Sequence, residues 1–363
     1  MRYSQEFRDA HLVSEIAGRI AALARGPTVI MEVCGTHTMS AARFGLKSLM
    51  PPDVKLVSGP GCPVCVTSQR DIDGFIALGD DPGNVLVSFG DMLRVPGSVA
   101  SLEEQRARGA DVRVVYSPLD AVDIARQEAG KRVVFFGVGF ETTMPATAMA
   151  VVSAYELGLR NFSVFCCHKT MPAALRALLA SGEVRVSGLL CPGHVTTIIG
   201  TDAYSFIPAE FGVPCAVAGF EPVDILLGIE EIVRQIAEGV PRVGNAYRRA
   251  CQSEPNARAK ALLEDVFTPC DAEWRGLGVI GNSGAAIAGK YADFDAQSIF
   301  ADVLARVPEP VPADCRCGDV LRGVIDPEQC PQFGSGCSPE NPLGPCMVSS
   351  EGACAAAYRY GGD

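Results

Sequence analysis

Eight short apolar runs punctuate the chain between residues 28 and 218, each closing in a glycine-rich or polar loop, and no other feature constrains the fold as tightly. T-V-I-M-E-V runs into C-G-T-H-T, V-K-L-V-S into G-P-G-C-P-V-C, N-V-L-V-S-F into G-D-M-L-R, and V-R-V-V-Y into S-P-L-D. R-V-V-F-F-G-V then runs into G-F-E-T-T, F-S-V-F-C-C into H-K-T-M-P, S-G-L-L-C into P-G-H-V, and C-A-V-A into G-F-E-P. Helical patterns separate them, as over residues 68–78, 101–108, 144–156 and 173–179. Strands that alternate with helices build parallel sheets covered by those helices.

The expected fold class is therefore α/β, with two similar domains of parallel sheets flanked by helices. The first domain spans residues 1–118 and includes an amphipathic N-terminal helix over residues 5–25, with apolar positions at Phe7, Leu12, Ile16, Ile20 and Leu23. The second spans 119–226. Residues 227–310 read as a mainly helical segment packing on both, with one strand-to-turn element, G-L-G-V-I-G-N-S-G. The proline-rich P-E-P-V-P from Pro308 marks a linker into a small cysteine-rich domain, 311–363.

In parallel sheets, ligands bind at the carboxyl ends of strands where the strand order reverses. Cys34, His37, Cys62, Cys65, Glu141, His168 and His194 all follow a strand directly, which predicts one or two clefts lined by them. Glu141 and Glu221 are expected at equivalent strand ends, and His168 and His194 at neighbouring ones. There they would act as acid–base groups, orient a ligand, or simply cap the helices that follow.

A net charge of -11 argues against nucleic acid or an anionic membrane surface as the main partner. No run is long enough to span a bilayer, and M-R-Y-S-Q-E-F-R-D-A-H carries no secretory pattern, so a cytoplasmic protein is expected. Fifteen cysteines in such a setting serve as thiols, metal ligands or redox groups more than as lasting disulfides. Cys166, Cys167, Cys191, Cys215, Cys251 and Cys270 lie in apolar or helical surroundings and read as packing residues.

Six cysteines crowd the tail: Cys315, Cys317, Cys330, Cys337, Cys346 and Cys354. That stretch is rich in Gly and Pro and poor in apolar periodicity, so it needs a staple. From Cys317 the spacing is C-x12-C-x6-C-x16-C, with Cys346 intervening as a fifth candidate. Four thiolates on irregular loops suit an Fe–S cluster or tetrahedral zinc, and the lack of tight C-x2-C pairs favours the cluster. A disulfide framework is the remaining alternative.

Two further constellations carry soft-metal or redox chemistry. Cys62 and Cys65 form a C-x-x-C pair at a helix start, where a reversible disulfide, or half a zinc site, is favoured. Cys34 precedes His37 by three residues, a spacing that serves a transition metal or an activated thiol. No phosphate-binding loop or nucleophile elbow is present.

Taken together, C-G-T-H-T, G-P-G-C-P-V-C, G-F-E-T-T, P-G-H-V and C-M-V-S-S-E-G-A-C resemble the HypD family of hydrogenase maturation proteins, from about Cys34 to Tyr360. The resemblance implies a scaffold on which an iron atom bearing two cyanides and one carbon monoxide is assembled for nickel–iron hydrogenases. It implies a HypC-like chaperone sharing that iron, a HypE-like cyanide donor, and onward transfer to the hydrogenase large subunit. It also implies two α/β domains and a third around a 4Fe–4S cluster. Carried over motif by motif, Cys34 would hold the iron with Cys62 and Cys65 as the redox pair beside it. Cys317, Cys330, Cys337 and Cys354 would ligate the cluster. The rival function is a thiol/disulfide oxidoreductase that uses the cluster to reduce Cys62–Cys65; a structural zinc protein is a third.

Overall fold

A computed structural model describes residues 6–182, 184–310 and 314–361. Its strands are β1 (Thr28–Glu32), β2 (Val54–Ser58), β3 (Asn84–Ser88), β4 (Asp111–Val114), β5 (Arg132–Gly139), β6 (Phe162–His168), β7 (Gly188–Pro192), β8 (Cys215–Ala218), β9 (Val243–Asn245), β10 (Phe267–Trp274) and β11 (Gly278–Ile287). One sheet has the order β2-β1-β7-β8-β9 and another β4-β3-β5-β6, and every pairing in both is parallel. The α/β class with parallel sheets flanked by helices is as the sequence predicts.

The partition of strands between the sheets is different. A division at residue 118 separates β3 and β4 from β5 and β6, yet these four share one sheet. The chain makes β1 and β2, builds the whole second sheet, and returns to the first with β7. Strands buried on both faces are apolar throughout, so their composition does not reveal their neighbours. Residues 227–310 also differ from a mainly helical segment, because β10 and β11 pair as an antiparallel hairpin. Pro269 and Asp271 in β10 and four small residues in a row, Ser283–Ala286 in sequence, hide it from propensity. Tertiary contacts hold it instead: Trp274 is fully buried and donates from Nε1 to Ser283 Oγ at 2.8 Å. The Val311–Pro312 end of the expected linker lies outside the described residues.

Helix starts follow local chemistry. Asp9 accepts from Leu12 N at 2.9 Å and opens the helix Ala10–Leu23. Ser101 and Ser117 form reciprocal capping boxes with Glu104 and Asp120, each such cap being worth about 1 kcal/mol. The helices Ala10–Leu23 and Pro222–Glu238 pack on one another and cover one face of the first sheet. Ile16, Ile20, Ile30, Leu226 and Ile229 are sealed there, each contributing roughly 2 kcal/mol of burial.

The central core is continuous. It takes Met31 and Leu189 from the first sheet, Phe136 and Phe165 from the second, and Val320, Leu321, Met347 and Cys346 from the tail. The tail is thus held on the body by apolar packing. Its last helix, Ala353–Tyr360, lies against the helix Gly35–Arg43, and its small buried faces Ala353, Ala355 and Ala356 permit that approach.

Candidate functional site

The strand order of the first sheet reverses between β1 and β7, which places a crevice beyond their carboxyl ends. Cys34 stands there as the residue before the helix Gly35–Arg43. The loop after β2 is pressed onto it backbone to backbone. Gly59 N donates to Glu32 O and Gly35 N to Gly61 O, both at 2.9 Å. A Cβ on Gly61 would stand 2.2 Å from Cys34 N, so only glycine fits. This contact sets Cys62 beside Cys34: a Cβ on Gly35 would stand 3.2 Å from Cys62 Cβ. Cys62 and Cys65 are bonded to each other, with their Cα atoms 5.2 Å apart, and all three cysteines are buried.

The tail completes this corner. Glu351 Oε1 accepts from Thr36 Oγ1 at 2.5 Å, and a Cβ on Gly35 would stand 2.7 Å from both Glu351 Cβ and its carbonyl oxygen. Burial pushes the Cys34 thiol up to about 12, and the Glu351 charge adds to that effect. Burial raises the Glu351 carboxyl as well. A thiol held this firmly protonated loses its proton only to something that binds sulfur strongly, which is how a soft metal ion acts. Glu351 was not singled out by sequence reasoning, although it lies inside C-M-V-S-S-E-G-A-C.

A cavity opens next to this corner. Cys315, Cys317, Cys330, Cys337 and Cys354 line it together with Val320, Phe333, Leu343 and Met347. Leu343 N donates to Cys337 Sγ at 3.3 Å. Cys346 is buried and is not part of this lining, although it lies close to Cys317 and Cys354. A Cβ on Gly344 would stand 2.5 Å from Cys315 Sγ, so glycine gives the sulfurs their room. Among the described residues no three His, Cys, Asp or Glu side chains converge as one metal ion requires. A cubane cluster asks for another geometry, one thiolate on each of four separate irons. A set of sulfur donors, walls that are mostly apolar but also include Arg316 and Gln332, and a backbone N–H to sulfur fit that group. The short helix Pro345–Val348 packs against Pro63–Val66, so the cavity adjoins the thiol pair.

The sequence profile HypD, described as "Hydrogenase formation hypA family", matches residues 11–361. The chain belongs to the HypD family. The hydrogenase maturation factor HypD of Rhodobacter capsulatus is 46% identical over 374 residues, covering 100% of this chain and 99% of that one. That of Azotobacter vinelandii is 47% identical, covering 99% and 97%, and that of Escherichia coli strain K12 is 44% identical, covering 99% and 98%. Among the described residues no helix is long and apolar enough to cross a membrane.

The remaining HypD-motif residues take several places. His37 is buried, and its Nε2 lies 2.9 Å from Gly219 O and 3.2 Å from Ala218 O. Both partners are acceptors, so Nε2 carries the hydrogen and Nδ1 is a free lone pair without a partner. Burial lowers its pKa to about 4, which makes it a neutral strut between β8 and the Cys34 helix. Phe220 joins it to the exposed His194 through ring contacts of 5.0 and 4.0 Å. His168 belongs elsewhere. It ends β6 in the second sheet and is held by Thr147 Oγ1 and Gly139 O, so it does not neighbour His194.

Glu141 and Glu221 likewise follow strands of different sheets. Glu221 caps Pro222–Glu238 and pairs with Arg8. Cys191 and Cys215 lie on adjacent strands two register positions apart, and Cys166, Cys167, Cys251 and the partly exposed Cys270 are also free thiols set among packed elements.

Glu141 is buried, accepts from Met171 N at 2.9 Å through Oε1, and leaves Oε2 unpartnered. Burial pushes its carboxyl from 4.5 up to about 7. The folded protein keeps a proton there that the unfolded chain releases, so stability falls as pH rises through that window, by roughly 3 kcal/mol. Glu141→Gln keeps the acceptor and removes the titration. Urea midpoints at about pH 5 and about pH 7.5 should then lie closer together than in wild type. Equal slopes in the two proteins would show that Glu141 does not carry this dependence.

Proposed function

We propose that the chain is the scaffold on which the Fe(CN)2CO group of nickel–iron hydrogenases is assembled. Support comes from a single convergence: Cys34, the Cys62–Cys65 pair and the cysteine-lined cavity meet at one corner, joined by Glu351. The iron is cargo. Cys34 holds it through a thiolate, a soft donor matched to a soft low-spin metal. A HypC-like chaperone supplies a second thiolate from outside the crevice, and a HypE-like partner delivers cyanide. The completed group leaves for the hydrogenase large subunit.

Cys62 and Cys65 exchange two electrons and two protons between disulfide and dithiol. In the reduced pair Cys65 N, 3.2 Å from Cys62 Sγ, stabilises a thiolate there. The cavity holds a 4Fe–4S cluster on Cys330, Cys337, Cys354 and one of the adjacent Cys315 and Cys317, with deeper burial favouring Cys317. When bound, the cluster supplies single electrons beside the pair. The bonded Cys62–Cys65 also supports a second reading, an Fe–S-dependent thiol/disulfide oxidoreductase.

One experiment separates the two. Anaerobically purified protein should contain about four iron and four sulfide beyond its cargo, and its complex with a HypC-like chaperone should show cyanide and carbonyl infrared bands. Disulfide reductase turnover without the chaperone, in a complex lacking those bands, would replace the scaffold by the oxidoreductase.

A further inference from the structure

A second cavity, of about 830 Å³, opens at the amino ends of strands in the second sheet. Asn84 and Arg132, which line it, are the first residues of β3 and β5, whereas the crevice stands beyond the carboxyl ends of β1 and β7. No residue of its lining belongs to the cysteine corner. Its size is that of a small-molecule pocket. Ile76, Leu78, Phe300, Val303 and Val307 make much of the wall apolar, and Val99, 85% exposed, carries that lining out to the surface.

The polar lining is unevenly satisfied. Asp81 pairs with Arg132, and Glu309 with Arg70. Asp73 accepts from Ser98 N and Ser98 Oγ, both at 2.6 Å, and Asp80 accepts from Gln105 Nε2 at 2.6 Å. Those donors are neutral. Arg108 and Arg306 also line the cavity, and among the described residues their guanidinium groups have neither an ion-pair nor a hydrogen-bond partner. Asn84, 3% exposed, gives Nδ2 to Leu78 O at 2.8 Å, and its Oδ1 has no partner. A buried acceptor left over in this way is commonly served by a bound water or ligand.

We propose that this cavity binds a small organic carboxylate with an apolar body. Arg108 and Arg306 offer it two unengaged guanidinium forks, the geometry that grips a carboxylate through paired N–H donors. The apolar walls take the body. Asp73 and Asp80 choose the head, because carboxylates without a cation beside them repel a doubly charged phosphate more than a singly charged carboxylate. The assignment does not depend on iron assembly.

The test is isothermal titration calorimetry of the full-length chain with naphthoate, naphthyl phosphate and uncharged naphthalenemethanol, all substituted at the same ring carbon. Naphthoate should bind saturably, about tenfold tighter than the alcohol, and tighter than the phosphate. Val99, Arg108 and Arg306 are exposed, so their variants should melt as wild type does. In an Arg108→Gln/Arg306→Gln double variant, naphthoate should drop about tenfold, to the affinity of the alcohol. Val99→Asp should weaken naphthoate too, by setting a like charge against its head at the apolar lining. Arg258→Gln, exposed and outside the cavity, should bind as wild type. The proposal is overturned by absence of saturable naphthoate binding, by equal affinity for the alcohol, or by tighter binding of the phosphate. Unchanged naphthoate affinity in the double variant or in Val99→Asp overturns it as well.

Discussion

Cys34→Ala should leave the fold and the tail's iron and sulfide intact and abolish the cyanide and carbonyl infrared bands of the co-purified complex. Hydrogenase maturation should vanish with them. The structural work at this position belongs to the backbone. Cys34 O accepts from Thr38 N at 3.2 Å, and its amide region is what packs on Gly61. Alanine preserves both, and the lost sulfur contacts cost on the order of 1–2 kcal/mol. The chemical role proposed for this position belongs to the thiol, and the two cysteines of the neighbouring loop, Cys62 and Cys65, are bonded to each other. Normal bands in a Cys34→Ala complex would move the iron to that pair.

The strand-end placement of Cys34, Cys62 and Cys65 was legible because each follows an apolar run and stands beside glycines. Their proximity was legible too, since the parallel-sheet reading set Cys34 near the loop carrying Cys62; the backbone contact that fixes it was not. It depends on which strands are neighbours, and β1 and β2 are paired through the sheet while β3 and β4, equally apolar, belong to another. The same ambiguity made Glu141 and Glu221 look equivalent. Glu351 escaped notice because a lone acid in a polar tail carries no local pattern; it matters only where the helix Ala353–Tyr360 docks on Gly35–Arg43. The β10–β11 hairpin was hidden for a related reason, since its strands carry little β propensity and are held by Trp274 burial and by contacts to distant segments.

Single alanine substitutions at Cys330, Cys337 or Cys354 should bleach the cluster absorbance, with iron and sulfide falling from about four to near zero. The consequence should travel. Metal binding contributes folding free energy to a segment with few side chains of its own to bury. Without it, the irregular run from Cys315 to Gly344 loosens first and becomes the preferred site of limited proteolysis. Met347, Ala355 and Ala356, sealed in the body, keep the last helix in place longer. Glu351 lies between these two parts, so cluster loss should also weaken the infrared bands of a complex whose Cys34 is untouched. At the remaining corner the choice is between two cysteines. Cys317 is buried at 5% exposure and lies close to Cys346, whereas Cys315 is partly exposed. Cys317→Ala should therefore bleach and Cys315→Ala should not. Cys346→Ala should retain the cluster, because that residue is not part of the cavity lining. A bleached Cys315→Ala beside a brown Cys317→Ala would hand the corner to Cys315. A full cluster surviving all three of Cys330→Ala, Cys337→Ala and Cys354→Ala would remove the cluster from this cavity altogether.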